Sequence, residues 1–333
     1  MNIVVTGGTG YIGSHIVRAM RNHFPDAYIT VVDRIFRAHA LFGVDNFIEE
    51  DYSCEDVLQL FEENDIDCVV HCAGTSLVGP SVVDPSNYYL NNVSKTIMMM
   101  DAIRRNKKRP VVLFSSSAAV YGECWPSLRE DAVTKPTNPY GNTKLMIEKV
   151  LEDYNKAYGI PYVAFRFFNA AGAEPFSYDL GQELGATHIV ARILEAKLFD
   201  RTFTLYGTDY DTPDGTCVRD YIHVWDIARA HVRALLFMRN LMTNQPTHYT
   251  FNLGTSKGFS NLEILDYVEK NIGPVDVCVR ERRPGDPAFL VANGDLAWNT
   301  IGWTPRFSEI STIINSAHKW YLNSPAVMAF NRR

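Results

Sequence analysis

Tyr140 and Lys144 stand four positions apart in the stretch NPYGNTK, and Ser117 closes a run of three serines earlier in the chain. Side chains at i and i+4 share one face of a helix, so a helix begun by Pro139 aims both the same way. A free tyrosine has a pKa of about 10 and is a poor proton acceptor at neutral pH. An ammonium beside it favours the tyrosinate and lowers that value. A serine hydroxyl nearby can hydrogen-bond the same substrate oxygen. Together the three form a proton-transfer group of the kind that removes and returns a hydroxyl proton. Tyrosine and lysine at this spacing are common on solvated helix faces, so their meaning depends on what else the chain carries.

What it carries is a dinucleotide turn. In VTGGTGYIGSH, Gly8, Gly10 and Gly13 satisfy GxGxxG, and Gly7, Gly10 and Gly13 give a GxxGxxG alternative. Such glycines let the backbone turn tightly and approach a pyrophosphate seated at a positive helix N-terminus. A second strand ends in Asp33, 20 residues after Gly13. A carboxylate there hydrogen-bonds the adenosine ribose and repels a 2′-phosphate, favouring NAD over NADP. Arg34 and Arg37 follow closely and could in principle accept that phosphate. NAD is the expected cofactor, and its positive nicotinamide would add to Lys144 in lowering the pKa of Tyr140 towards neutrality.

These groups need a scaffold that delivers them to one cleft. NIVVTG, YITVVD, FIEED, DCVVHCAG, PVVLFSSS and YVAFRFFN read as buried strands, and residues about 13–23, 53–63, 86–106 and 141–158 as helices. Apolar strands separated by helices imply a parallel sheet covered on both faces. After Ala171 the alternation weakens; a segment from Glu174 to Gly185 leads to a helix near 187–199, then strand, turn and helix return in RDYIHVWDIARAHVRALLFM. The expected fold is α/β, a Rossmann-type doubly wound parallel sheet with a smaller C-terminal substrate-binding domain. Residues 1–170 would form the nucleotide domain, with about 217–250 returning to it, and 171–333 the smaller one. The cleft would lie at the carboxyl ends of the strands.

Composition excludes several other classes. The 333 residues are 46% hydrophobic and 21% charged, with a net charge of −6, an ordinary globular balance without the basic face that nucleic acid requires. Arg219, Arg280, Arg282 and Arg283 are local exceptions suited to a small anion. The six cysteines (Cys54, Cys68, Cys72, Cys124, Cys217, Cys278) form no CxxC pair and read as reduced thiols. His15, His188, His223 and His231 lack partners at ligand spacing, so no metal is expected, and His71 reads as a core histidine. The IMMMDAI stretch has the spacing of a packing face. With no leader-like segment and no membrane-length apolar run, a cytoplasmic location is expected.

The chain resembles the extended short-chain dehydrogenase/reductases, and within them the UDP-glucose 4-epimerases. Beyond VTGGTGYIGSH, SSSAAVYG and PYGNTKLMIE, the resemblance includes HCAG, YYLNNV, RFFNAAGA, FNLG, RRPGDPA and, most specifically, YGTDYDTPDGTCVRDYIHVWDIARAH. It implies Tyr140 as base, Lys144 as the residue that holds the nicotinamide ribose and tunes it, and Ser117 as an aid to proton movement. For NAD it implies Gly7, Gly10, Tyr11, Ile12, Asp33, Asp51, Tyr52, Ala73, Gly74, Asn92, Ser115 and Phe168, with Tyr140 and Lys144. For the UDP-sugar it implies Ser117, Tyr140, Asn169, His188, Ile189, Tyr206, Arg219, Arg283 and Asp286, while Arg280 and Arg282 stay solvated.

The activity implied is interconversion of UDP-glucose and UDP-galactose through a transient 4-keto sugar and bound NAD. Leu290 falls where a bulky tyrosine restricts some members to plain hexoses and a small residue admits N-acetyl sugars, so activity on UDP-GlcNAc and UDP-GalNAc is possible as well. A homodimer through the helix bearing Met98–Met100 and the helix of Tyr140 is also implied. Three positions depart from the family: Arg34 where Asn is common, Thr75-Ser76 where some members have a lysine, and Ala191 in place of a proline. The related 4,6-dehydratases carry an acidic pair after the catalytic-strand Ser/Thr, where this chain has Ala118-Ala119. A non-catalytic NAD sensor would keep the glycine turn without needing Ser117, Tyr140 and Lys144.

Overall fold

The computed structural model describes residues 1–122, 127–241, 247–283, 286–325 and 328. Cys124 and the Pro284-Gly285 pair of RRPGDPA lie outside them. Five β-branched or apolar runs, β1 (Asn2–Thr6), β2 (Tyr28–Val32), β4 (Cys68–His71), β5 (Val111–Ser117) and β6 (Tyr162–Phe167), are joined by the short β3 (Asn46–Ile48) and by β10 (His248–Leu253) in one sheet. Its order is β10-β6-β5-β4-β1-β2-β3, and every pairing is parallel. Successive side chains of β1 explain why both faces are covered. Ile3 and Val5 pack under α1 (Tyr11–His23) and α8 (Val224–Asn240), while Val4 faces α2 (Glu55–Glu63) and α5 (Lys95–Arg105).

The remaining elements build a second core. Here α7 (Ile189–Leu198), α9 (Asn261–Asn271) and α11 (Ile310–Asn323) pack around β8 (Phe203–Tyr206) and its parallel partner β12 (Val277–Arg280). β9 (Val218–His223) runs along the join. It pairs with β7 (Asn169–Ala171) at one end and with β11 (Gly258–Ser260) and β13 (Phe289–Leu290) at the other. The helices α3 (Val78–Val83), α4 (Pro85–Tyr88) and α10 (Asp295–Ile301) fill shorter connections.

Local chemistry sets the helix that matters most. In α6 (Pro139–Tyr158), Asn138 caps the first turn by accepting from the Gly141 amide at 2.9 Å, Pro139 occupies the first helical position, and Gly159 closes the far end with φ of 69°. Two expectations need correcting. FIEED forms only a three-residue strand that stops at Ile48. The helix expected over 86–106 is three pieces, because Tyr89–Ser94 is a π-turn between α4 and α5. That wider turn faces Asn92 inward, and the reason appears in the site.

Candidate active site

The glycine turn is packed too tightly for a side chain at Gly7 or Gly13. A Cβ on Gly13 would fall 2.1 Å from the Gly7 carbonyl oxygen, and one on Gly7, whose φ is +70°, would fall 2.6 Å from the Ala73 amide nitrogen. The N-terminus of α1 therefore begins at bare backbone. Gly10 offers no capping side chain and the first turn has no acidic residue, which leaves the Tyr11 and Ile12 end of the helix suited to an anion. The Tyr11 hydroxyl donates to the Gly172 carbonyl at 2.7 Å, tying the turn to the segment after β7.

Asp33 closes this cradle. Its carboxylate accepts from the Thr9 amide at 3.1 Å and from the Ile35 amide at 3.2 Å. Asp51 accepts from Lys95 at 2.7 Å and from the Ser53 amide and hydroxyl. Burial pushes its carboxyl up, but these hydrogen bonds outweigh burial and leave it below the usual range. Tyr52 is buried, donates to the Asn91 carbonyl, and has its phenol raised by burial.

Asn92 explains the π-turn. Its side-chain oxygen accepts from the Thr75 amide at 2.7 Å, and its nitrogen donates to the Thr75 carbonyl at 3.0 Å and to the Thr143 hydroxyl at 2.9 Å. One buried amide thus joins the loop of Ala73 and Gly74 to the residue before Lys144. Thr75, one of the departures from the family, is used here through its backbone. His71 sits beneath, between the hydroxyls of Thr6 at 2.7 Å and Thr96 at 2.9 Å, and burial lowers its pKa to about 3. It is a neutral, satisfied core residue.

Tyr140, Lys144 and Ser117 meet where β5 ends against the first turns of α6. Tyr140 packs edge-on to Tyr88, with ring centroids 6.5 Å apart, and the Lys144 ammonium lies 5.9 Å from the Tyr140 ring centre. The Lys144 ammonium donates to the Ser115 carbonyl at 2.8 Å. Burial depresses the Lys144 pKa to about 8, with nearby Cys72 and Glu148 opposing the fall. The share of the expected lowering that Lys144 would supply is corrected here: in the chain alone burial raises the Tyr140 phenol, and polar contact with Ser117 offsets only part of the rise. Lys144 is committed to the strand rather than to the phenol oxygen, so the chain's own residues position the Tyr140 phenol without ionising it.

A buried network that the sequence reading missed holds this junction. Ser116 donates to Glu148 at 2.5 Å, and Arg166 binds both Glu148 oxygens, the nearer at 2.7 Å. Arg166 also donates to the Tyr121 hydroxyl at 2.8 Å. Glu148 follows Lys144 by one helical turn, so the network fixes α6 against β5 between Ser115 and Ser117. Breaking a buried pair leaves an uncompensated charge. Glu148→Ala is expected to lower unfolding stability by roughly 3–5 kcal/mol, read from the urea midpoint at unchanged slope. A loss under about 1 kcal/mol would place the pair among weak surface bridges.

The guanidinium set stands on β9, at the end of β12 and in the segment after it. Arg219 on β9 is buried and donates to one oxygen of Asp286 at 3.0 Å, while the more exposed Arg283 reaches the other at 3.1 Å and lies 5.0 Å over the Tyr206 ring. Arg282 is instead paired with Asp209 on the surface, and Arg280 is exposed. Leu290 pairs in register with Arg219 and packs against the cluster that includes Phe168, Ala118 and Tyr121. Asn169 lies in β7, and His188 and Ile189 start α7 with His188 exposed. Among the described residues no group of His, Cys, Asp and Glu could hold a metal, and no helix is long and apolar enough to cross a membrane.

The profile of the NAD dependent epimerase/dehydratase family matches residues 3–254. The chain belongs to this family. It is 40% identical to the UDP-glucose 4-epimerase of Lactobacillus helveticus over 334 aligned residues, covering 98% of each chain. The Brucella ovis UDP-glucose 4-epimerase, solved in complex with NAD, superposes with a TM-score of 0.88 at 38% identity, covering 96% of this chain and 97% of that one. The Bifidobacterium longum enzyme, solved with NAD+ and UDP, gives 0.86 at 32% identity, with 98% and 99% covered. As a member of the epimerase/dehydratase family the chain lacks an acidic pair after Ser117: Ala118 and Ala119 fill a 3-10 turn whose amide, at Ala119, donates to the Ser117 hydroxyl at 3.2 Å.

Proposed function

We propose that this chain is an NAD-dependent UDP-glucose 4-epimerase that interconverts UDP-glucose and UDP-galactose. The observation that carries the reading is that Arg219's register neighbour Leu290 packs against the cluster of Phe168 and Ala118, and Ala118 directly follows Ser117, the partner of Tyr140. Arg219 suits a diphosphate, and Ser117 with Tyr140 a sugar hydroxyl.

The glycine turn and Asp33 would hold NAD, which would supply a reversible hydride acceptor for the sugar. Tyr140 would take the proton from the sugar's C4 hydroxyl and return it to the same oxygen, with Ser117 hydrogen-bonding that oxygen. Arg219 and Arg283 grip the diphosphate, and Asp286 between them keeps both side chains extended. The 4-keto sugar turns beside Leu290 while the nucleotide stays anchored. In this reading residues 1–170 and about 217–250 form the nucleotide-binding half, and two copies associate in the cytoplasm through α5 and α6, where Met98 and Met146 are 46% and 45% exposed.

The purified protein should convert UDP-galactose to UDP-glucose without added reductant, with no net consumption of NAD. The leucine at 290 is intermediate in bulk, so UDP-GalNAc should be converted more slowly. Accumulation of a 4-keto-6-deoxy sugar would overturn the epimerase reading in favour of a dehydratase. N-acetyl turnover many times faster than that of UDP-galactose would overturn the ranking of sugars.

A further inference from the structure

We infer that Glu183 enforces the choice of NAD over NADP by occupying Arg37; the inference rests on the placement of NAD at the glycine turn and Asp33. Arginines just after the ribose carboxylate are the groups that accept a 2′-phosphate when the carboxylate's repulsion is overcome. Here Arg37 is not available. Its guanidinium binds both oxygens of Glu183, at 2.5 and 3.2 Å, and a third nitrogen reaches the Thr9 hydroxyl at 3.3 Å. Thr9 in turn donates its amide to Asp33, so Arg37 lies one residue removed from the ribose carboxylate.

Glu183 comes from the segment after β7, 146 positions away in sequence. Arg34, the other candidate, is more open but lies 3.9 Å from Asp51, which Lys95 also holds. Asp33, Asp51 and Glu183 therefore face Arg34, Arg37 and Lys95, and among these residues Arg37 is the cation held most fully, by both oxygens of one carboxylate. Releasing Arg37 would supply a cation in fork geometry, the arrangement best suited to a phosphate.

The test equilibrates purified protein with equal NAD+ and NADP+, removes free nucleotide, and quantifies what acid denaturation releases. In Glu183→Gln the ratio of NADP to NAD should rise roughly tenfold, the scale of one charge-assisted hydrogen bond. The double variant Arg37→Gln/Glu183→Gln should fall back to the wild-type ratio. Asp179→Asn loosens the same segment by removing the 3.1 Å bridge to Arg18 without touching Arg37, and it should leave the ratio unchanged. An unchanged ratio in Glu183→Gln, or an equal rise in Asp179→Asn, overturns the inference while leaving NAD binding intact. Wild-type protein that retains neither nucleotide overturns the cofactor placement itself, and this inference with it.

Discussion

Tyr140→Phe should lower kcat for UDP-galactose by roughly 10²–10⁴-fold, the range of a positioned acid-base group. It should leave the amount of co-purified NAD and the affinity for UDP close to wild type. The substitution removes one oxygen and keeps the ring against Tyr88, so packing at the start of α6 is preserved. The pH profile gives the sign. Burial raises the Tyr140 phenol above its ordinary value, so the chain by itself favours the protonated phenol, which could not act as a base. Wild-type kcat/KM should therefore climb as pH rises through the neutral range, and the residual activity of the phenylalanine variant should be flat over the same interval. A variant within tenfold of wild type, or one that keeps the rising limb, would remove Tyr140 from the proton-transfer step.

That sign was not legible in the sequence, and the reason is general. Tyr140, Lys144 and Ser117 could be found because i, i+4 spacing on a helix and position at a strand end are one-dimensional facts. So could β1, the glycine turn and Asp33, which follow one another within a single β-α-β unit. The balance between burial and charge at Tyr140 could not, because it depends on where the Lys144 ammonium is spent. A lysine one turn away reads as a neighbour of the tyrosine; folded, it bonds the Ser115 carbonyl. Long-range partners were hidden in the same way. Nothing near Arg37 announces Glu183, and nothing near Ser116 announces Arg166. Asn92 stood in a recognisable motif, but the π-turn that aims it inward arises from the Thr75 and Thr143 contacts, which the helical periodicity of 86–106 does not encode. The short β3 has a related origin: FIEED turns acidic after Ile48, where Asp33's amide already bonds the Ile48 carbonyl and the sheet ends.

Lys144→Met should abolish activity to a similar degree and yet make the folded protein more resistant to unfolding at neutral pH. The unfolded lysine titrates at about 10.4, whereas burial brings the folded value to about 8. Between those values the unfolded chain holds a proton that the folded chain does not, so stability rises with pH across that window. Below it, the folded protein carries a desolvated ammonium and the full cost of about 3 kcal/mol. Methionine matches the length of the stem without the charge. Its gain is reduced by the Ser115 carbonyl, which loses a buried donor at a cost of about 1–3 kcal/mol. The net should be a modest stabilisation, on the order of 1 kcal/mol at pH 7. The decisive comparison is between pH values: wild-type stability should gain on that of the variant between pH 7 and pH 9.5, because only wild type sheds the buried proton. Co-purified NAD should fall in the variant if, as proposed, the ammonium also holds the nicotinamide ribose. A variant less stable than wild type by the same margin at both pH values would mean that Lys144 serves the fold, and that its burial beside Tyr140 is not a cost carried for catalysis.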